Sequence, residues 1–495
     1  MSDLPPPAGE PAGHLPPILR AELSQPFPTR SGWAWTIAPA YAGLFIWIPL
    51  LDLVGLLVAG GLDVRLVFLG SILALLACSL LLYYPAAILG CQSGQGLGVV
   101  ASTTLGTIGA EWIVGILGGL GGLLVYAISI DSSVRLTMLG LTLCGLVGPA
   151  SLERSSIGAA QFPAPITLIT AAFWIYVTGT AILLRLASVV RAMMQVYTPV
   201  ALALLVVAAI LAARGPGVAV AREPVTVLPA FALLIQIVCS AFAFSGLLGA
   251  DWGRMARDRL DVMRGGAVGI NLAGMLGLVM TACTVSLAFR TDASGMPPDG
   301  GSPPLLIRGS FHSAIYQGIG GQVGGILLML LGLATLAPAC YAIWLFGRRF
   351  ADHWGVLRVS SWTWLGGGLA LAMIASGVAR DSMLLIQILG ALFAPVAGTF
   401  LVELTRTEGH VRGIRDGVNP PGVIAWGLGL TIGLIPIVGA VIPAGEPLRR
   451  LQPASLYAFA VSAATYAILA RLGWERPIIP IRTETPTEPG AVGRG

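Results

Sequence analysis

Charged side chains are scarce inside the apolar stretches of this chain. Each one there is a candidate for function, because burying charge in a bilayer is costly. Asp52 is the first, three residues after Pro49 in the string WIPLLD. Proline lacks a backbone N–H and tends to break a helix. Freed carbonyls and amides beside a carboxylate make a site for a small solute or a proton, although the same position also suits a hydrated carboxylate near the far interface. A second constellation is LPAFALLIQIVCSAFAFSGLLGADWGRMARD, with Ser240, Ser245, Gly246 and Gly249 in the second half of one apolar run. Glycine and small polar residues permit unwinding and close approach of a ligand. Phe242 and Phe244 can stack on a planar ring or serve as plain packing. Asp251 and Arg254 close that run, as a gate or as a structural ion pair. Pro338 in LATLAPACYA marks a further kink. Glu111 beside Trp112 and Glu403 stand where apolar runs begin or end, which suits snorkelling or a salt bridge. Asn271 and Gln387 suit bridges between helices.

None of these groups pairs a nucleophile with a base, and no H-E-x-x-H or G-x-S-x-G string occurs, so the chain reads as a non-enzyme. Cys78, Cys91, Cys144, Cys239, Cys283 and Cys340 are scattered, without a CxxC. His14, His312, His353 and His410 fall in the tail or in expected loops. No metal, haem or other cofactor is expected.

The elements that must position these residues are membrane helices. Hydrophobic residues make up 56% of 495 positions and charged ones 10%, with a mean hydropathy of +0.85. A soluble domain carries roughly 25% charged residues, so lipid must be the solvent, and in lipid the backbone has to satisfy itself within helices. An outer-membrane barrel would alternate apolar and polar residues in ~10-residue strands; here the apolar runs are unbroken. Twelve have spanning length: 34–58, 66–90, 109–130, 166–184, 196–213, 228–250, 266–289, 318–346, 361–378, 382–404, 421–444 and 453–472. The stretch 136–150, with Gly140, Gly145, Gly148 and Pro149, reads as a lumenal or re-entrant segment. The chain has no lysine, so arginine sets the orientation. With both ends inside, the inner side holds 18 of the 28: Arg20, Arg30, Arg185, Arg191, Arg254, Arg257, Arg259, Arg264, Arg348, Arg349, Arg358, Arg406, Arg412, Arg415, Arg471, Arg476, Arg482 and Arg494. That is the positive-inside pattern, and it places both termini in the cytoplasm, in a bacterial-type inner (plasma) membrane. In such a chain the formal charge of +5 is a topology signal, not a nucleic-acid patch. Residues 1–30, Pro-rich and without an apolar core, read as a cytosolic tail; 290–313 read as an external loop and 473–495 as a flexible tail.

Laid end to end, several strings resemble the nucleobase:cation symporter family, the cytosine, purine, uracil, allantoin and hydantoin permeases. They are TRSGWAW before helix 1; GCQSGQGLGVVASTTLGTIGAEW after helix 2, with Leu105 in place of an aromatic; and LLRLASVVRAMMQVYTPVALALL between helices 4 and 5. Next come ADWGRMARD after helix 6, which matches D-[FYW]-x-R through Asp251, Trp252 and Arg254; LGALFAPVAGTFLVEL, with Glu403 for an aspartate; and GVIAWGLG opening helix 11. The likeness runs in order from about residue 26 to 472. It implies an all-α, LeuT-like fold: 33–213 and 228–405 as inverted repeats of five helices, 420–472 as two additional helices, and tails at 1–32 and 473–495. It also implies alternating access around a midplane site between helices 1, 3, 6 and 8.

The departures are informative. Where sodium-coupled relatives carry adjacent Ser/Thr residues on helix 8, this chain has Ala337 and Pro338. Two hydroxyl ligands are lost, so sodium coupling is not expected, and a proton route through Asp52, or no coupling, fits better. The ring-stacking tryptophan of helix 3 falls near Leu124 or Val125, with Tyr126 the closest aromatic, and that of helix 6 falls near Phe242 or Phe244. The reading is therefore a secondary active permease for a nucleobase-like or other small heterocyclic solute. Asp52, Tyr126, Phe242, Phe244 and Ser245 are expected around the ligand, with Pro49, Pro338, Asp251 and Arg254 in gating or structural roles. An amino-acid permease of the same superfamily would place a GxG break in helix 1, which WIPLLD lacks. An intramembrane enzyme or accessory subunit would need a converging catalytic set or a cofactor ligand pair.

Overall fold

The computed structural model describes residues 15–25, 28–152, 155–157, 160–184, 193–215, 217–219, 226–290, 305–443 and 445–479. Arg185 and Arg191, most of the external loop expected at 290–313, and the outer parts of both tails lie outside the described residues. Among the described residues ten helices are long and apolar enough to cross a membrane. A bent pair makes an eleventh, and Val359–Ala375, at 17 residues, is a shorter apolar helix in the position of a twelfth. The protein is a multi-pass membrane protein of the all-α class.

A short helix, Pro17–Leu23, precedes the membrane region. Span 1 is the bent pair, Trp33–Ile46 and Ile48–Ala59, meeting at 46°. The sequence dictates the joint. Pro49, second in the outer half, cannot donate to the Phe45 carbonyl, and Trp47 between the halves is extended (φ −72°, ψ 112°). The break thus falls two residues before the proline. Span 2, Val64–Ser93, carries a π-helical turn at Cys78–Tyr83. Helix Leu97–Ala110 follows and folds at Gly106, whose φ of 81° suits glycine and whose missing Cβ makes room for the backbone of Gly417 and Asn419.

Span 3 starts in the π turn Glu111–Ile116 and runs through Leu117–Leu143. Residues 136–143 are therefore the far end of span 3, not a lumenal or re-entrant segment. Nothing in SSVRLTMLGLTL stops a helix until Gly145, which takes a φ of 73°. The remaining spans are Pro165–Leu183 (span 4), Met194–Arg214 (5), Val227–Leu247 (6), Arg259–Ala288 (7), Gly321–Trp354 (8), Val359–Ala375 (9), Ser382–Arg406 (10), Pro420–Val441 (11) and Ala454–Arg471 (12).

Span 6 runs unbroken through Ser240 and Ser245 and changes direction only at Leu248, ahead of the short helix Gly249–Gly253. The expected unwinding does not occur. Glycines in span 6 and in the short helix after it instead let both lie against span 2: a Cβ at Gly246 would meet the Leu82 carbonyl at 2.8 Å, and one at Gly253 the Ala87 carbonyl at 2.1 Å. Small residues at a helix crossing allow this approach. Span 8 is jointed at Thr335, between Gly321–Ala334 and Leu336–Trp354. Two-residue strands tie the periphery, Ile414–Arg415 pairing antiparallel with Ile478–Ile479 and Val218–Ala219 parallel with Phe289–Arg290. The buried core is built from spans 1, 2, 3, 5, 6, 7, 8 and 10, while Leu69, Leu73, Leu80, Ile169, Phe173 and Tyr176 face outward as lipid-facing residues do.

Candidate functional site

The joint in span 1 and the joint in span 8 face each other across a cavity of about 80 Å³. Span 1 contributes Tyr41, Gly43, Leu44, Ile46 and Trp47; span 3 Val125; span 5 Tyr197 and Thr198; span 6 Phe244 and Ser245, followed by Leu248 and Trp252; and span 8 Ala334, Ala337, Pro338 and Tyr341. Pro338 cannot donate to the Ala334 carbonyl, which frees an acceptor at the wall.

Three polar side chains of the lining are already committed. Tyr41 donates to the Ser245 carbonyl (3.1 Å), Trp47 Nε1 to Ser129 Oγ (2.9 Å), and Tyr197 to the Leu330 carbonyl. Ser245 Oγ, Thr198 Oγ1, Tyr341 OH and Trp252 Nε1 bond to no other described residue and are left for a ligand. Among the described residues no ionisable acid or base other than tyrosine lines this cavity. It is an aromatic, neutral chamber with a few hydroxyl and indole donors.

A polar recess continues from Trp252 and Tyr341 towards the face bearing the N-terminal helix. It holds Glu22, Asp251, Arg254, Arg348, Arg349 and Asp352. Glu22 pairs with Arg349, and Arg348 Nε donates to Asp352 at 2.7 Å. Asp251 Oδ1 accepts from the Leu97 N–H at 3.0 Å and Glu22 Oε2 from the Val99 N–H at 3.1 Å. Two carboxylates thus sit on the positive end of helix Leu97–Ala110. Burial pushes the Asp251 carboxyl up, Glu22 adds to the rise, and Arg349, Arg254 and the Leu97 N–H oppose it. Asp251 and Arg254 do not hydrogen-bond each other, and Arg254 Nε is buried without a partner among the described residues. Glu111 accepts from the Ile18 N–H (3.3 Å) and pairs with His353, so the N-terminal helix is fastened to spans 3 and 8 at once.

The structure sorts the expected site residues by place. Phe244, Ser245 and Pro338 line the cavity, and Asp251 and Arg254 line the recess. Asp52 lines neither. It is 4% exposed on the far side of the Trp47 joint, where Oδ1 accepts from the His312 N–H (3.1 Å) and Oδ2 from His312 Nδ1 (2.9 Å). Its depth in span 1 rules out both the hydrated and the ligand-lining readings. Tyr126 points away to span 4, bonded to Thr178 at 2.8 Å, because one residue along a helix turns the side chain by about 100° from Val125. Phe242 is packed between Tyr41 and Phe45. Pro49 shapes the joint without touching the cavity.

Sequence reasoning missed Asp131 and Arg135, a buried i,i+4 ion pair at 2.6 Å in span 3. Ending the helix near residue 130 hid them. It also missed Trp47 and Tyr341, whose only signal was nearness to Pro49 and Pro338. His312 was assigned to a loop on composition, yet it is fully buried. Among the described residues no group of three or more His, Cys, Asp or Glu could hold a metal ion.

No protein-family model matches the chain, and no curated protein does. Solved structures do. A nucleobase-cation-symport-1 family transporter, in a closed conformation with bromovinylhydantoin bound, aligns at TM-score 0.58 and 15% identity over 91% of this chain and 96% of its own. A Na+-coupled sialic acid symporter in a substrate-bound, outward-open state aligns at TM-score 0.55 and 11% identity, over 94% of this chain and 95% of its own. Over nearly its whole length, then, the chain has the LeuT-like fold of these symporters, five plus five helices with additional ones outside.

Proposed function

We propose that this protein is a secondary active transporter for a small, neutral, planar solute, a nucleobase or a related heterocycle such as a hydantoin. The observation that carries the reading is the cavity at two facing helix joints, walled by Tyr41, Trp47, Phe244, Trp252 and Tyr341 and, among the described residues, free of acidic or basic side chains. A planar ring stacks on such walls, and its polar edge meets Ser245, Thr198 and Tyr341. A charged solute would find no counter-ion there, which disfavours an amino-acid permease. The symporter of like fold that holds a hydantoin supports the same class. Residues 33–213 and 228–405 act as the two inverted repeats, and alternating access exposes the cavity to either side in turn. In this conformation the recess beside Trp252 leads towards the N-terminal face, which the arginine distribution makes cytoplasmic. Span 8 offers Ala337 and Pro338 where a sodium ion would need hydroxyls, so the coupling ion in this reading is the proton, held at the buried pair of Asp52 and His312.

Purified protein screened by thermal shift against nucleobases, hydantoins and vitamins tests the substrate class. A ligand at 100-fold over its Kd stabilises by about 2.7 kcal/mol, a rise of a few degrees. Ser245→Ala and Trp252→Ala should each weaken the response at least ~5-fold in apparent Kd, the worth of about one net hydrogen bond. Stabilisation by amino acids and by no planar heterocycle would overturn the assignment.

A further inference from the structure

We infer that His312, buried against Asp52, is a proton-binding site that latches the segment Leu305–Ile319 over the outer half of the transporter. The inference rests on the transporter reading and deepens its proton coupling.

The segment packs against spans 1, 3, 5, 7 and 8 on the face opposite the N-terminal helix. It lies so close to span 1 that a Cβ on Gly55 would stand 2.6 Å from the Phe311 nitrogen, and Gly309 takes a φ of 83° against Ala59. The short turn Phe311–Ser313 is held by Asp52, which accepts from both the backbone N–H and the ring of His312.

The tautomer follows from the partners. The Ile307 N–H donates to His312 Nε2 at 3.3 Å, so Nε2 carries a lone pair, and the ring proton must be on Nδ1, donating to Asp52 Oδ2. The imidazole is therefore neutral and the carboxylate is an acceptor at both oxygens. A proton arriving at Nε2 forms an N–H bond with that lone pair, and nothing else is broken covalently. The Nδ1–H···Asp52 contact becomes an ion pair. The Ile307 N–H, now facing another N–H, loses its acceptor and must turn away to water. Protonation thus strengthens the hold on the Phe311–Ser313 turn and releases the irregular stretch Leu305–Gly309 that precedes it. The ionisable groups on the packed elements are Asp52 on Ile48–Ala59, Tyr126 and the Asp131–Arg135 pair on Leu117–Leu143, Arg214 on Thr198–Arg214, Cys283 on Ala273–Ala288, Tyr316 on the turn Ala314–Ile319, and Arg308 within the segment itself. Of these ionisable groups only Asp52 bonds to the ring among the described residues, and Ser310 Oγ lies 3.1 Å from the same Nδ1. In the transport cycle this makes external acidity the signal that loosens the outer cover, at a carboxylate–imidazole pair shielded from the solute cavity.

The test is hydrogen exchange of the full-length protein in nanodiscs, without any solute, at pH 7.5 and pH 5.5, with intrinsic rates corrected. The peptide covering Leu305–Gly309 should exchange roughly fivefold faster at the lower pH, as expected for one lost hydrogen bond. His312→Asn keeps a donor towards Asp52 but has no basic nitrogen, and should abolish the pH response while retaining the melting temperature within a few degrees. Asp52→Asn should speed exchange at both pH values. Equal exchange of this peptide at the two pH values in the wild type, or an undiminished acid response in His312→Asn, overturns the inference. Neither result touches solute binding, which the thermal-shift screen judges separately.

Discussion

At the scale of single residues, the buried charges divide by what answers them. Asp52 is answered by His312, Glu22 by Arg349 and Glu111 by His353, each across elements far apart in sequence. Asp131 and Arg135 answer each other within one helix, and Arg135 Nε and Nη1 are left without acceptors in an apolar surround. Breaking a buried pair on one side leaves an uncompensated charge, whereas removing both does not. Asp131→Asn should therefore destabilise by about 3–5 kcal/mol, and Asp131→Asn with Arg135→Gln by less than the first alone. Thermal melts of the two variants in the same detergent check the order; equal losses would show that the pair carries no mutual energy. The sequence made Asp52 and Asp251 visible as charges, but could not show their partners. Those partners sit 260 positions away for Asp52 and 154 for Asp251, and only the tertiary fold brings them near.

At the scale of elements, proline proved more legible than glycine. Pro49 and Pro338 both stand within three residues of a helix joint, because a missing N–H acts locally whatever surrounds it. Gly246 and Gly249 suggested unwinding, yet they serve packing, because a glycine within an apolar run fits either role and the neighbouring helix decides. Gly253→Ala places a methyl 2.1 Å from the Ala87 carbonyl and should destabilise by about 1–3 kcal/mol as span 2 and the short helix after span 6 are pushed apart. Gly368→Ala, on span 9 with open space at its Cβ, should be neutral or stabilise by about 0.5–1 kcal/mol. Melting temperatures of this pair compare packing with backbone entropy directly; similar losses in both would refute the packing account. Helix length was the least legible quantity. Span 3 outruns any single bilayer crossing, and nothing in its composition marks where lipid ends.

At the scale of the whole molecule, composition alone was enough to establish a lipid-embedded bundle, since 10% charged residues cannot coat a chain of this size. How its ends are fixed was not readable. Glu475 in the C-terminal segment bonds Arg406 and Arg415 and lies beside Tyr466, joining spans 10 and 12 to the loop before span 11. Burial alone would raise its carboxyl, but the hydrogen bond from Arg406, the charges of Arg415 and Arg406, and the Tyr466 hydroxyl hold it below the usual glutamate value. A depressed value means stability that is present above the ordinary glutamate range and lost as pH falls through the folded one. Glu475→Gln should lower the melting temperature at pH 7 by a few degrees, and the gap from wild type should close on acidification; a constant gap would refute the linkage. The N-terminal end has a different consequence, one of timing. Glu22 waits for Arg349, which the ribosome delivers 327 residues later. At roughly 5–20 residues per second, the nascent chain spends about a quarter of a minute to a minute with Glu22 lacking its cationic partner, its first helix held by Val99 and Glu111 alone. Chains stalled before span 8 would leave that helix more loosely held and more open to proteases and chaperones, a built-in mark of unfinished synthesis.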